Sequence, residues 1–427
     1  MPNLPLRGLA YAAMTLNFSI LSACAETPAQ PETRPATLTL APANSAPAPP
    51  APVPLLQSFA DWREQLRDEA LGKGISAAVF DRALTGISLD PAVIAADSSQ
   101  PEFSRPVWEY LDSAVSASRV ARGQGALLQQ KASLASIEQR YAVPAATLVA
   151  IWGMESNFGS NIGTYSVIRS LATLAYEGRR QAFWRDQLLA ALQILERGDN
   201  SPQGLIGSWA GAMGQTQFMP TTYNEHAVDF DGDGRRDLWQ SAPDALASAA
   251  HYLQASGWQP GQPWGFEVAL PDAFDYALAD PEIRKPLAAW AELGVKIPNH
   301  AVVAAEASLL LPAGHRGPAF LVLPNFRVIL KYNNSTAYAL AIGVLSDRLR
   351  GGEGIQGRWP RDDRQLGRSE RIELQELLAS KGFTPGTPDG IIGANTRKAV
   401  RAYQLSLGLP PDGYPSHELL LKLRAAL

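Results

Sequence analysis

Thr147-Leu-Val-Ala-Ile-Trp-Gly-Met-Glu-Ser-Asn-Phe-Gly159 is an apolar run that contains one carboxylate, Glu155. Upstream, Ser133 to Tyr141 has helical spacing, and Val143-Pro144 then turns the chain into a new helix with Pro144 in its first turn. That helix carries Glu155 close to its C-terminal end. Ile151, Trp152, Met154 and Phe158 surround the carboxyl group with apolar side chains, and desolvation raises a carboxyl pKa toward neutrality. An acid still protonated near neutral pH can give its proton to a leaving oxygen. A Glu on the surface of an amphipathic helix is the competing reading. It leaves unexplained why Ser156, Asn157 and Gly159, which favour a helix end and a polar opening, come immediately after.

Outward from this helix, helical spacing dominates from Leu55 to Ala255. Phe59, Trp62 and Leu66 recur at three- and four-residue steps, as do Leu127, Leu134 and Ile137, and Leu171 to Arg197 forms a further helical stretch. Between Gln262 and Leu323 Pro and Gly become frequent and the apolar runs short, as in Phe266 to Leu270. Ala319 to Leu323 and Phe326 to Leu330 are expected as short strands. The fold class is therefore mainly α with some β: a helical core carrying an inserted small α/β lobe around 262–323.

The 427 residues hold 37 Lys and Arg against 41 Asp and Glu, a net charge of -4, which argues against a nucleic-acid partner. Hydrophobic content of 46% and charged content of 18% are ordinary for a globular protein. At the start of the chain, Arg7 precedes an uncharged run from Gly8 to Ala23, too short for a comfortable bilayer span and read as a secretory signal. It ends in Leu21-Ser22-Ala23-Cys24, which resembles a bacterial lipobox, with cleavage before Cys24 and acylation of that cysteine. Residues 1–24 are thus a lipoprotein signal peptide. Ala25 after the cysteine implies sorting to the periplasmic face of the outer membrane. Cys24 is the one cysteine, so no intramolecular disulfide or cysteine metal site forms. Residues 25–54 hold nine prolines among Ala, Thr and Ser and form a tether that reaches about 90 Å when fully extended.

A second segment, Gly211-Ala-Met-Gly-Gln-Thr-Gln-Phe-Met-Pro220, combines glycines that permit close backbone approach with the amides of Gln215 and Gln217. Such groups suit hydroxyl and acetamido recognition in a groove. Together with Trp152-Gly-Met-Glu-Ser-Asn-Phe-Gly159, Ala227 to Trp239 and Lys331-Tyr-Asn-Asn-Ser-Thr-Ala-Tyr338, this loop closely resembles the membrane-bound lytic murein transglycosylase B family, over roughly residues 55 to 350. The resemblance implies a lysozyme-like catalytic domain at 55–355, with Glu155 as sole catalytic acid and base. It implies substrate contacts from Gln217, Tyr332, Asn333 and Tyr338, from Tyr252 and Ser208, and from Tyr110 by a looser alignment. It also implies cleavage between N-acetylmuramic acid and N-acetylglucosamine without water, leaving a 1,6-anhydromuramyl end. No cofactor is required for that chemistry. The expected partners are peptidoglycan glycan strands, the membrane through a lipid anchor, and cell-wall synthesis or remodelling proteins.

Asp229, Asp231 and Asp233 fall at positions 1, 3 and 5 of an EF-hand-like loop, with Gly234 at 6, the Arg235 carbonyl at 7 and Asp237 at 9. Position 12 is Gln240 where a bidentate Glu is expected. Relatives use a later aspartate, for which Asp244 is the nearest candidate, so a structural Ca2+ is expected, with an Asp/Gly-rich surface turn as the alternative. Residues 366–427 contain Asp389-Gly-Ile-Ile-Gly393, Thr396, Ala399-Val400 and Tyr403-Gln404, then a second Asp-Gly at 412–413. This order resembles a small three-helix peptidoglycan-binding module, which would raise the local substrate concentration. Residue types alone also admit a hydrolytic muramidase, with Asp186, Glu177 or Glu196 as second carboxylate. A non-catalytic wall-binding lipoprotein is the other alternative.

Overall fold

The computed structural model describes residues 58–98, 105–298 and 305–426. The signal segment, Cys24 and the proline-rich tether lie outside these residues. Among the described residues no helix is long and apolar enough to cross a membrane.

The Glu155 helix, Ala145–Ser156, is the spine of the molecule. Pro144 stands immediately before it as N-cap, and every residue from Ala146 to Gly153 is buried. A helix apolar on all sides must be covered on all sides. Here the cover comes from helices Thr336–Leu349, Ala117–Gln129, Lys131–Tyr141 and Ala242–Ala255. One polar pair crosses that packing, Thr147 Oγ1 to Ser346 Oγ at 3.2 Å.

A second helical layer is centred on the hairpin of Val167–Glu177 and Gln181–Arg197. The single stretch expected from Leu171 to Arg197 is thus two helices. Gly178 leaves helical geometry with ψ 163, and the next residue, Arg179, is drawn off toward Asp97 by hydrogen bonds from its amide and guanidinium.

The inserted lobe is a four-stranded antiparallel sheet in the order Gly265–Val268, Ala319–Val322, Glu306–Leu310, Lys285–Pro286. Leu321 pairs with Phe266 on one side and Leu309 on the other, over a core that includes Trp290 and Leu287. The expected strand from Phe326 to Leu330 is instead part of helix Pro324–Tyr332. Pro324 sits in its first turn, where its missing N–H is harmless, and Phe326 and Ile329 are buried at helical spacing. Short apolar runs do not separate strand from buried helix by themselves.

The C-terminal module consists of helices Arg368–Ser380, Ala394–Ser406 and His417–Ala425 around Leu374, Leu378, Val400, Tyr403, Leu420 and Leu423. The two Asp-Gly turns are built alike. Gln375 Oε1 accepts the Gly390 amide at 2.8 Å, and Gln404 Oε1 accepts the Gly413 amide at 2.9 Å. The second turn is also tied to the inserted lobe. Asp412 Oδ2 accepts the His315 amide at 2.8 Å and lies 2.6 Å from His315 Nδ1, while Arg401 pairs with Asp280.

Candidate active site

Glu155 sits in the last turn of its helix, half-buried. Tyr338, in the first turn of Thr336–Leu349, donates its hydroxyl to Glu155 Oε1 at 2.5 Å. Burial raises the Glu155 carboxyl to about 7, and the Tyr338 hydrogen bond acts in the opposite direction. Tyr338 and Tyr332 are both held well above the ordinary phenol range, first by burial and then by the charge of Glu155. Tyr110 is raised by the same two causes in the same order. Three phenols therefore surround this acid as neutral hydroxyls.

The backbone beyond Glu155 turns sharply. Asn157, Phe158 and Gly159 are three successive left-handed residues, at φ 53, 60 and 77. For the two non-glycine residues this conformation is costly and must be held by contacts. Arg122 supplies them, donating to Asn157 Oδ1 at 2.7 Å and to the Asn157 carbonyl at 2.9 Å, with its guanidinium 5.3 Å from the Phe158 ring centre. Phe158 folds back over Gly153, where an added Cβ would lie 2.7 Å from the ring. Nothing local marks Arg122 in the sequence, because it acts on residues about thirty-five positions away.

The glycine loop lies against the same helix. Gln215 is buried rather than available to a sugar: Trp152 Nε1 donates to its Oε1 at 2.8 Å, and its amide reaches the Trp239 carbonyl. This corrects the expectation that both glutamines serve recognition. Gln217, at φ 51, donates to the Gly214 carbonyl at 2.9 Å and the Ile162 carbonyl at 3.3 Å, and among the described residues its Oε1 accepts nothing. Tyr332 donates to the Thr216 carbonyl at 2.7 Å, joining the loop to the tyrosine cluster. Tyr252 packs edge-on against Tyr332 at 5.2 Å and donates to the Lys331 carbonyl. Asn333 is exposed in the turn between Tyr332 and Tyr338, and Ser208 stands at the loop's entrance, accepting the Ala212 amide.

Among the described residues no carboxylate contributes to the shift at Glu155. Glu177 and Asp186 are exposed, and Glu196 is engaged by the amide and hydroxyl of Ser76 at 2.9 and 2.8 Å. None of these three carboxylates acts on the Glu155 carboxyl.

In the acidic loop, oxygens of Asp229, Asp231 and Asp244 lie within 4.8 Å of one another. Asp244 is fully buried and raised, by burial first and with the Asp231 charge contributing, although it accepts the amides of Phe230, Asp231 and Asp237. Clustered hard oxygens around a desolvated carboxylate fit a calcium ion. Asp233 does not join the three: its Oδ1 accepts the Arg235 amide, which the local turn places nearer. Asp237 accepts the amides of Trp239 and Gln240.

Residues 58–347 match the family of the transglycosylase SLT domain. The chain belongs to that family. Residues 367–423 match the putative peptidoglycan binding domain family. Among solved structures, SltB3 from Pseudomonas aeruginosa in complex with NAG-anhNAM-pentapeptide is 61% identical with a TM-score of 0.84, covering 86% of this chain and all of that one. The Escherichia coli lytic transglycosylase Slt35 in complex with calcium is 29% identical with a TM-score of 0.58, covering 67% of this chain and 92% of that one. The membrane-bound lytic murein transglycosylase B of E. coli strain K12 is 36% identical over 214 residues. That match covers 48% of this chain and 57% of the curated relative, so the chain spans little more than half of that relative's length.

Proposed function

We propose that this protein is a peptidoglycan lytic transglycosylase in which Glu155 acts first as acid and then as base. The observation that carries the reading is a half-buried carboxyl raised to about 7, hydrogen-bonded by one tyrosine and without a carboxylate partner. Protonated Glu155 gives its hydrogen to the oxygen linking N-acetylmuramic acid to N-acetylglucosamine, and the bond from the muramyl C1 to that oxygen breaks. The muramyl acetamido oxygen supports the positive charge at C1, a substrate-assisted alternative to a second carboxylate. Glu155, now ionised, takes the proton of the same sugar's C6 hydroxyl, and O6 bonds to C1. The product ends in a 1,6-anhydro ring, and no water is consumed. Tyr338 stabilises the carboxylate while it exists. Gln217, Asn333, Tyr332, Tyr252, Tyr110 and Ser208 line the groove and orient the sugars.

Three features of the chain suit this chemistry to the cell wall. Cys24 carries a lipid anchor that holds the enzyme at the periplasmic face of the outer membrane. Residues 25–54 are its tether, 55–355 its catalytic domain and 366–427 its wall-binding module. Asp229, Asp231 and Asp244 hold a calcium ion that braces the loop behind the glycine segment, apart from the reacting atoms.

The test is Glu155→Gln, assayed on purified sacculi by mass spectrometry. The wild-type enzyme is expected to release anhydro-ended fragments, one water lighter than hydrolytic products. The variant should retain sacculus binding and lose release by at least about 10²-fold, the lower bound for general acid–base assistance. Reducing ends from the wild type, or undiminished release by the variant, would overturn the mechanism.

A further inference from the structure

A cavity of about 320 Å³ opens where the inserted lobe, the C-terminal module and the catalytic core meet. Leu309 of the sheet and Leu311 just beyond its strand give it an apolar wall, and Thr336 and Ala337 also line it. These last two open the helix that carries Tyr338, so the cavity lies one helical turn from the Glu155 partner. Its cations come from both sides: Arg105 from the core, Arg371, Arg397 and Arg401 from the module.

Most of the anions nearby are already engaged. Asp280 pairs with Arg401, and Asp412 is taken by His315 and by Gln404, whose amide donates at 2.7 Å. Arg397 is the exception among the module's three arginines. It makes no hydrogen bond or ion pair among the described residues, and it feels Asp280, Asp412 and Tyr414 only through space. Burial, and after it the Arg401 charge, push its guanidinium below the usual arginine range. The side chain is half-buried and lines the cavity. A partly desolvated guanidinium without a partner gains from an anion that meets it, and its planar fork matches a carboxylate.

We propose that this cavity receives a carboxylate of the peptide stem borne by the glycan substrate, so that the C-terminal module forms one wall of the substrate site. The inference rests on the peptidoglycan reading above. A stem peptide offers free carboxylates beside alanine methyl groups, which suits arginines facing Leu309, Leu311 and Ala337. The reacting muramyl sugar is the one that bears the stem, and Tyr338 connects the two sites through a single helix. The module then does more than retain the enzyme on the wall: it reads whether the strand it holds is substituted.

The experiment is titration calorimetry of the full chain with an anhydro-ended disaccharide, with and without a pentapeptide stem, and with the stem carboxyls converted to amides. These ligands are products and are not turned over, so the readout is independent of whether Glu155 is the catalytic acid. In the wild type the stem is expected to tighten binding about ten-fold, the scale of one charge-assisted pair. Amidation should remove that gain. Arg397→Gln should abolish most of it, and Arg105→Gln, at an exposed position that a folding defect would not reach, should reduce it. A wild type that binds stem-bearing and stem-free ligands equally, amides that bind like free acids, or an Arg397→Gln protein that keeps the full gain each overturn the proposal.

Discussion

At the scale of single residues, the site depends on the balance between burial and one hydrogen bond at Glu155. Burial favours the protonated acid that the proposed first step requires, and Tyr338 favours the carboxylate that the proposal forms after it. Activity that needs protonated Glu155 should fall as pH rises through about 7. Tyr338→Phe removes the contribution that lowers the pKa, so that descending limb should move to higher pH. The same change withdraws a hydrogen bond from a developing charge, about 1.5–3 kcal/mol, or roughly 10–100-fold in kcat. A pH–rate profile of both proteins checks this, and an unshifted limb would show that Tyr338 does not govern the acid. Glu155 itself is legible in the sequence because a carboxylate in an apolar run is chemically conspicuous. Gln215 misleads for a related reason. Polar side chains in a glycine loop look alike in sequence, and only the Trp152 and Trp239 contacts show that this one faces inward.

At the scale of elements, the Glu155 helix is aimed by the turn at its C-terminus. Three left-handed residues close it, with Phe158 folded onto Gly153 and Arg122 holding Asn157. Gly153→Ala would place a methyl group 2.7 Å from the Phe158 ring and force the turn open. The expected cost is about 1–3 kcal/mol of stability, as for other overpacked positions. A greater proportional loss in kcat should accompany it, because the turn sets where Glu155 points. Urea unfolding and initial rates measure the two together; a variant as stable and active as the wild type would show that the turn is not strained against the helix. The sequence announces this helix end through Ser156, Asn157 and Gly159. It does not announce the break at Gly178 or the helix at Pro324–Tyr332. In both places the local pattern is compatible with two structures, and a distant partner decides: Asp97 drawing Arg179 away in one, burial of Phe326 and Ile329 in the other.

At the scale of the whole molecule, the catalytic domain and the C-terminal module are interlocked through charged groups that no periodicity reveals. Each is legible separately, whereas the His315–Asp412 and Arg401–Asp280 contacts join residues about a hundred positions apart. Asp412 is the group at the centre. Burial alone would raise its carboxyl, but the His315 ring and amide, the Tyr414 amide and Gln404 together hold it below the ordinary aspartate value. A depressed carboxyl contributes stability above its unfolded pKa and loses it as pH falls through the lower folded value. The contribution of Asp412 to docking is therefore fully present at neutral pH and is lost as pH falls through its lowered folded value. Asp412→Asn imposes that loss at neutral pH, because the amide cannot match the carboxylate as partner to His315, at a cost of about 1–3 kcal/mol. The segment between Leu349 and Arg368 has no helix or strand of its own and is pinned at intervals, by Arg361 on Asp112, Asp362 on Arg316, Gln365 on Tyr414, and the Gln356 and Gly357 amides on Glu267. Limited proteolysis of the variant at pH 7 should cut there several-fold faster than in the wild type, and the two rates should converge as the pH is lowered below the aspartate range. Equal cleavage at neutral pH would mean that the interface is held by its apolar contacts and that the His315–Asp412 pair contributes nothing to docking.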